Sequence, residues 1–133
     1  MIVADANLIA YLALPSTYTA LAERLLLAEP DWVAPVLWRS EFRNVLAMYL
    51  RKGLISFGEA LAILSEMEAM FSGREYEVAS LDVLTLVKES KCSAYDCEYV
   101  ALAKGLNVRL VTMDKKLARS FPDSVQLLTE LGL

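Results

Sequence analysis

Apolar positions along this chain fall into short continuous runs separated by longer stretches with helical spacing. Ile2-Val3-Ala4, closed by Asp5, reads as a strand over residues 2–5 buried on both faces. A helix follows from Ala6 to Leu12, broken at Pro15-Ser16, and Thr17 to Glu29 has the pattern of an amphipathic helix. After the Pro30-Asp31 turn, Trp32-Val33-Ala34 is a second strand. Pro35 suits the first helical position, and its helix is expected to reach Lys52 before Gly53 stops it. Ser56 with Glu59 forms a capping-box signature for the next helix, which Gly73 ends. Glu75 to Ala79 is a third strand and Asp82 to Ser90 a helix. Ser93 caps a helix ending at Gly105, Val108 to Thr112 is a strand, Lys115 to Ser120 a short helix, and Val125-Gln126-Leu127 an edge strand.

Strands separated by helices predict an α/β layered fold with a short central, mainly parallel sheet. Residues 1–133 form one domain, without repeats or a linker. In such sheets ligands bind beyond the carboxyl ends of the strands. Asp5 and Asp114 both lie there.

Composition narrows the chemistry. The chain has no histidine, which excludes imidazole metal sites and Ser-His or Cys-His nucleophilic catalysis. Its two cysteines, Cys92 and Cys97, are too few for a zinc site and are expected as free thiols. The net charge of −4 provides no global field to attract nucleic acid, so binding would need a local patch. No apolar run approaches the ~18 residues of a membrane span, and Asp5 stands where a signal peptide would be basic and then apolar. A cytoplasmic setting is the expectation.

Four carboxylates then stand out. Asp5 and Asp114 close apolar strands, while Glu41 and Asp96 sit within the apolar stripes of helices. Burying an ionised carboxylate is costly unless a cation or donor compensates it. Glu41 shares a helix face with Leu37, Trp38, Val45 and Met48, with Arg39 or Arg43 as the simplest ion-pair partner at its edge. Asp96 has a second explanation, since Ser93-Ala94-Tyr95-Asp96 is itself a capping pattern. Glu98 is its rival on the same helix. Asp5, Asn7 and Asp114 could be simple turn or cap residues, and Thr112 an ordinary β-branched strand residue.

In this order the blocks resemble the PIN domain: Asp5-Ala-Asn7, Glu41 within a helix, Tyr95-Asp96-Cys-Glu-Tyr-Val-Ala-Leu-Ala103, and Leu110-Val-Thr112-Met-Asp114-Lys-Lys-Leu117. More narrowly they resemble VapC-like toxins of prokaryotic toxin–antitoxin pairs, over nearly the whole chain. That resemblance implies a PIN-like α/β/α sandwich and a Mg²⁺- or Mn²⁺-dependent ribonuclease. It makes Asp5, Glu41, Asp96 and Asp114 the catalytic, metal-binding acids, with Asn7 and Thr112 as auxiliary polar residues. A further acid often follows the last Asp in the family; here Leu117 and Ala118 follow it, which puts a second metal in doubt.

The resemblance also implies RNA as substrate, a homodimer and a small antitoxin partner. Lys115, Lys116 and Arg43 are the nearest candidates for substrate phosphates, with Arg39, Lys104, Arg109 and Arg119 further off. Trp38, Phe42 and Tyr49 could stack on a base or belong to the core. The apolar helices between Pro35 and Met70 suggest a covered surface. Two other readings stay open. One is a PIN scaffold that binds RNA or protein without cutting. The other is a phosphoacceptor receiver-like domain, for which Asp82 would be the acceptor.

Overall fold

The computed structural model describes residues 1–133. Five parallel strands form the central sheet: β1 (Ile2–Ala4), β2 (Trp32–Pro35), β3 (Glu75–Tyr76), β4 (Leu110–Thr112) and β5 (Val125–Leu127). Their order is β3-β2-β1-β4-β5, so β1 occupies the centre and the chain reverses its direction of travel beside it. Ile2, Val3 and Ala4 are wholly buried, as continuous apolar runs in a two-sided parallel sheet require. Seven helices cover the sheet: α1 (Ala6–Ala13), α2 (Thr19–Ala28), α3 (Trp38–Arg51), α4 (Phe57–Met70), α5 (Ser80–Lys88), α6 (Ala94–Leu106) and α7 (Lys115–Ser120). The arrangement is the predicted α/β fold, with every strand pair parallel.

Capping chemistry sets most helix boundaries. Ser56 and Glu59 form the reciprocal capping box at the start of α4. Gly53 and Gly73 take positive φ just beyond α3 and α4, where a side chain would be strained. Asn107 does the same after α6, so the helix runs past Gly105 to Leu106.

Pro35 departs from expectation. It closes β2, and α3 begins only at Trp38. Ala34 and Val36 donate their N–H groups to β3 and its flank, while β1 pairs with β2 only as far as Val33. Pro35 therefore falls where no partner strand needs its missing N–H. β3 is shorter than predicted because its only neighbour, β2, ends opposite Tyr76.

A charged anchor fixes the start of α3. Arg39 binds Glu75 through both Nε (2.6 Å) and Nη2 (2.8 Å), and its Nη1 bonds Glu68 on α4. The Trp38 indole N–H also donates to Glu75 at 2.8 Å. Trp38 and Phe42 are fully buried and pack against each other, and Trp38 also meets Phe71, which settles their role as core. Cys92 and Cys97 are buried free thiols, as expected.

Candidate active site

A cleft of about 570 Å³ opens beyond the carboxyl ends of the central strands, between the starts of α1, α3 and α6. Asp5, Asn7, Glu41 and Asp96 line it together, although they come from three separate parts of the chain.

Asp5 directly follows β1 and is the N-cap of α1, accepting the Leu8 N–H at 2.8 Å. The Thr112 hydroxyl donates to its other oxygen. Asp114 follows β4 in the same way and caps α7, accepting the Leu117 N–H at 3.0 Å. Its own N–H donates to Thr112 Oγ1 at 3.1 Å. The buried Thr112 hydroxyl thus connects the two strand-end acids, which lie far apart in sequence. Asp114 is exposed at the rim and absent from the lining, but its charge raises the pKa of Asp96.

Glu41 and Asp96 are half-buried and face the cleft from α3 and α6. Arg39 is committed to Glu75 and Glu68, and Arg43 is exposed to solvent, so the simple ion-pair explanation of Glu41 fails. Asp96 has both roles foreseen for it: Ser93 Oγ accepts its N–H at 3.1 Å, and its side chain lines the cleft. Glu98 is outside the lining, although burial and the Glu41 charge raise its pKa.

The electrostatics follow from this crowding. Burial pushes the Asp5 carboxyl up to about 6, against the lowering effect of Thr112 and Leu8, and the charges of Glu41 and Asp96 raise it further. Glu41 is raised by burial and by Asp96, with the Tyr99 hydroxyl pulling the other way. Asp96 is raised by burial and Asp114, with Ser93 and the Lys116 ammonium offsetting part of the rise.

No three acids are close enough to make a ready-made metal-ligand set. The donors are nonetheless all oxygen, the type hard divalent cations prefer, and their mutual repulsion is what such a cation would relieve. In chemical type the residues fit a cation that retains part of its water.

The basic candidates divide. Lys116 acts on Asp96 and donates to the Lys91 carbonyl at 3.1 Å. Lys115 lines a separate hollow with Arg119 and Gln126. Arg109 pairs with Glu29, and Lys104 lies over the Phe121 ring. No lysine or arginine lines the acidic cleft itself.

Sequence reasoning does not single out Ser40, Asn44 or Tyr95 as site residues, and it gives Tyr99 only to the core; all four line the cleft. The signal for two of them is helical spacing: Asn44 follows Glu41, and Tyr99 follows Asp96, by three positions. Asp82 is exposed in the first turn of α5 and outside the cleft, so the receiver-like reading lacks its acceptor.

The PIN domain family model matches residues 2–120. The chain belongs to the PIN domain family. It is VapC-like within that family, being 32% identical over 124 residues to Ribonuclease VapC3 of Pyrobaculum aerophilum, across 91% of this chain and 95% of the relative. The fold is shared with FitAcB from Neisseria gonorrhoeae, at a TM-score of 0.78 and 16% identity, covering 98% of this chain and 100% of that one. It is shared also with a toxin–antitoxin complex from Klebsiella pneumoniae, at a TM-score of 0.72 and 15% identity over 96% of this chain and 98% of that one.

Proposed function

We propose that this PIN protein is a divalent-metal-dependent endoribonuclease acting as the toxin of a VapBC-type pair. The convergence of Asp5, Glu41 and Asp96 on one cleft at the sheet's carboxyl edge carries the proposal. The ribonuclease relative supports the reaction class.

Asp5, Glu41, Asp96 and Asp114 would hold a Mg²⁺ or Mn²⁺ ion, which when bound neutralises phosphodiester charge and lowers the pKa of water. The protein's own residues do the rest. Thr112 and the Leu8 N–H fix the direction of the Asp5 carboxylate before substrate arrives. Asp96 or Glu41, both facing the cleft, takes the proton from the attacking water. Asn7 offers a neutral amide to the phosphate or its water at the cleft wall. Lys116 contributes positive charge beside Asp96 for a flanking phosphate, with Lys115 and Arg43 further out.

A partner surface is part of this reading. Met48, Leu54, Phe57 and Leu61 are exposed around the turn from α3 to α4, and Leu81 and Leu84 on α5. Apolar exposure of this kind suits an antitoxin and a second protomer. The toxin–antitoxin complex among the similar folds agrees with the first. No helix is long and apolar enough to cross a membrane. The proposed substrate, RNA, would be met in the cytoplasm.

The test is cleavage of single-stranded RNA with Mg²⁺ or Mn²⁺, with chelator, and with Asp96→Asn. Cleavage that requires the metal and Asp96 is expected. RNA that is bound but left intact under all metal conditions would favour the binding-only scaffold.

A further inference from the structure

Tyr99 is the buried polar side chain at this cleft to which the mechanism gives no part. It lies on α6 one turn beyond Asp96 and is only 3% exposed. Its ring belongs to the core, yet it also lines the acidic cleft. The hydroxyl is buried and lies close to Glu41, but closes no hydrogen bond of ordinary length and angle. A buried hydroxyl without a partner is disfavoured, so its persistence needs a reason.

The surroundings supply one. The charged groups acting on Tyr99 are Glu41, Asp5 and Glu98, all carboxylates. Asp5 already has two donors, from Leu8 and Thr112. Glu41 lines the same cleft from α3 and, unlike Asp5, has no donor closed onto its carboxylate, so it has an oxygen free to accept from Tyr99. A phenol facing carboxylates can only donate, and a ligating carboxylate is usually oriented by a donor behind it.

We propose that Tyr99 is a positioning residue for Glu41, donating its hydroxyl to one Glu41 oxygen when the acids take up a cation and leaving the other oxygen for the cleft. This inference rests on the metal-dependent reading above. It adds a residue outside the four acids and the two auxiliary polar positions.

Mn²⁺ titration of the full chain without RNA, followed calorimetrically, tests it in wild type, Tyr99→Phe, Glu41→Gln and the double variant. Tyr99→Phe should weaken Mn²⁺ binding about tenfold. It should leave the melting temperature of the metal-free protein unchanged or raised, since it removes an unpaired hydroxyl and keeps the ring. In the Glu41→Gln background the same change should have no further effect on Mn²⁺. Unchanged Mn²⁺ affinity in Tyr99→Phe, an equal loss without Glu41, or a lower metal-free melting temperature would each overturn the proposal. Wild type that binds no Mn²⁺ would overturn the metal reading itself, a distinct result from wild-type binding that Tyr99→Phe leaves untouched.

Discussion

Asp5 and Asp114 are held by the starts of their own helices, whereas Glu41 and Asp96 are placed by how α3 and α6 pack. Each strand-end acid accepts the backbone N–H three residues on, within the helix it caps, and the single Thr112 hydroxyl joins the two. Glu41 has only the nearby Tyr99 hydroxyl, and Asp96 the Ser93 hydroxyl and the Lys116 ammonium. One half of the site is therefore set by local geometry and should persist without ligand. The other half depends on distant packing and has oxygens free to adjust.

Activity gives the largest test of this difference. Asp5→Asn, Asp96→Asn and Glu41→Gln should each lower metal-dependent RNA cleavage about 100–1000-fold, measured by initial rates, since both halves act on the same charge. Stability should separate them. Asp114→Ala should cost about 1 kcal/mol through loss of the α7 cap. Glu41→Ala should cost less than about 0.5 kcal/mol, because it removes a carboxylate that burial disfavours. Equal losses of stability from both would erase the distinction.

The hydroxyl joining the rigid half comes next. Thr112→Val keeps shape and burial but leaves Asp5 without one donor and the Asp114 N–H without its acceptor. Chemical denaturation should show a loss of about 1–3 kcal/mol. Thr112→Ser should recover most of it.

A smaller effect follows from pH. The folded Asp5 carboxyl titrates near about 6 rather than at its ordinary 3.8. Between these values the folded state binds more protons than the unfolded one. Stability from this group is therefore present below about pH 4 and lost as pH rises through about 6. Asp5→Asn has no such titration. The metal-free variant should gain on wild type by about 1–2 kcal/mol between pH 4 and 7.5, a figure discounted for partial solvation, in denaturant melts at both pH values. An identical pH dependence in the two proteins would mean that Asp5 is not destabilised by its surroundings.

The same division explains what can be read from sequence. Asp5 and Asp114 are legible because an acid that ends an apolar strand is a local pattern, and the α7 limits follow from it without error. Glu41 is legible as a carboxylate among apolar neighbours. The choice between Asp96 and Glu98 is not, since both lie on plausible faces of α6 and only its packing points Asp96 into the cleft. Pro35 misleads because its fixed φ suits a helix start and a strand end equally, and the end of the β1–β2 pairing decides the matter. Adjacency to Asp114 in sequence does not bring Lys115 into the cleft, because beyond the start of α7 it lines a separate hollow with Arg119 and Gln126.

A last, small effect tests the half placed by packing. Arg39 ties the first turn of α3 to Glu75 on β3 and to Glu68 on α4, and Trp38 donates to the same Glu75. Glu41 follows Arg39 by two positions in the first turn of α3, so a shift of this anchor would move its carboxylate. Arg39→Met keeps the aliphatic packing and removes the charge. Solvent screens part of the interaction, so the loss of stability should be about 0.5–1 kcal/mol. The informative reading is activity at equal folded fraction. If α3 packing positions Glu41, cleavage and Mn²⁺ affinity should both fall several-fold at equal folded fraction. If cleavage by Arg39→Met matches wild type at equal folded fraction, the core contacts of Trp38 and Phe42 hold α3 without the anchor.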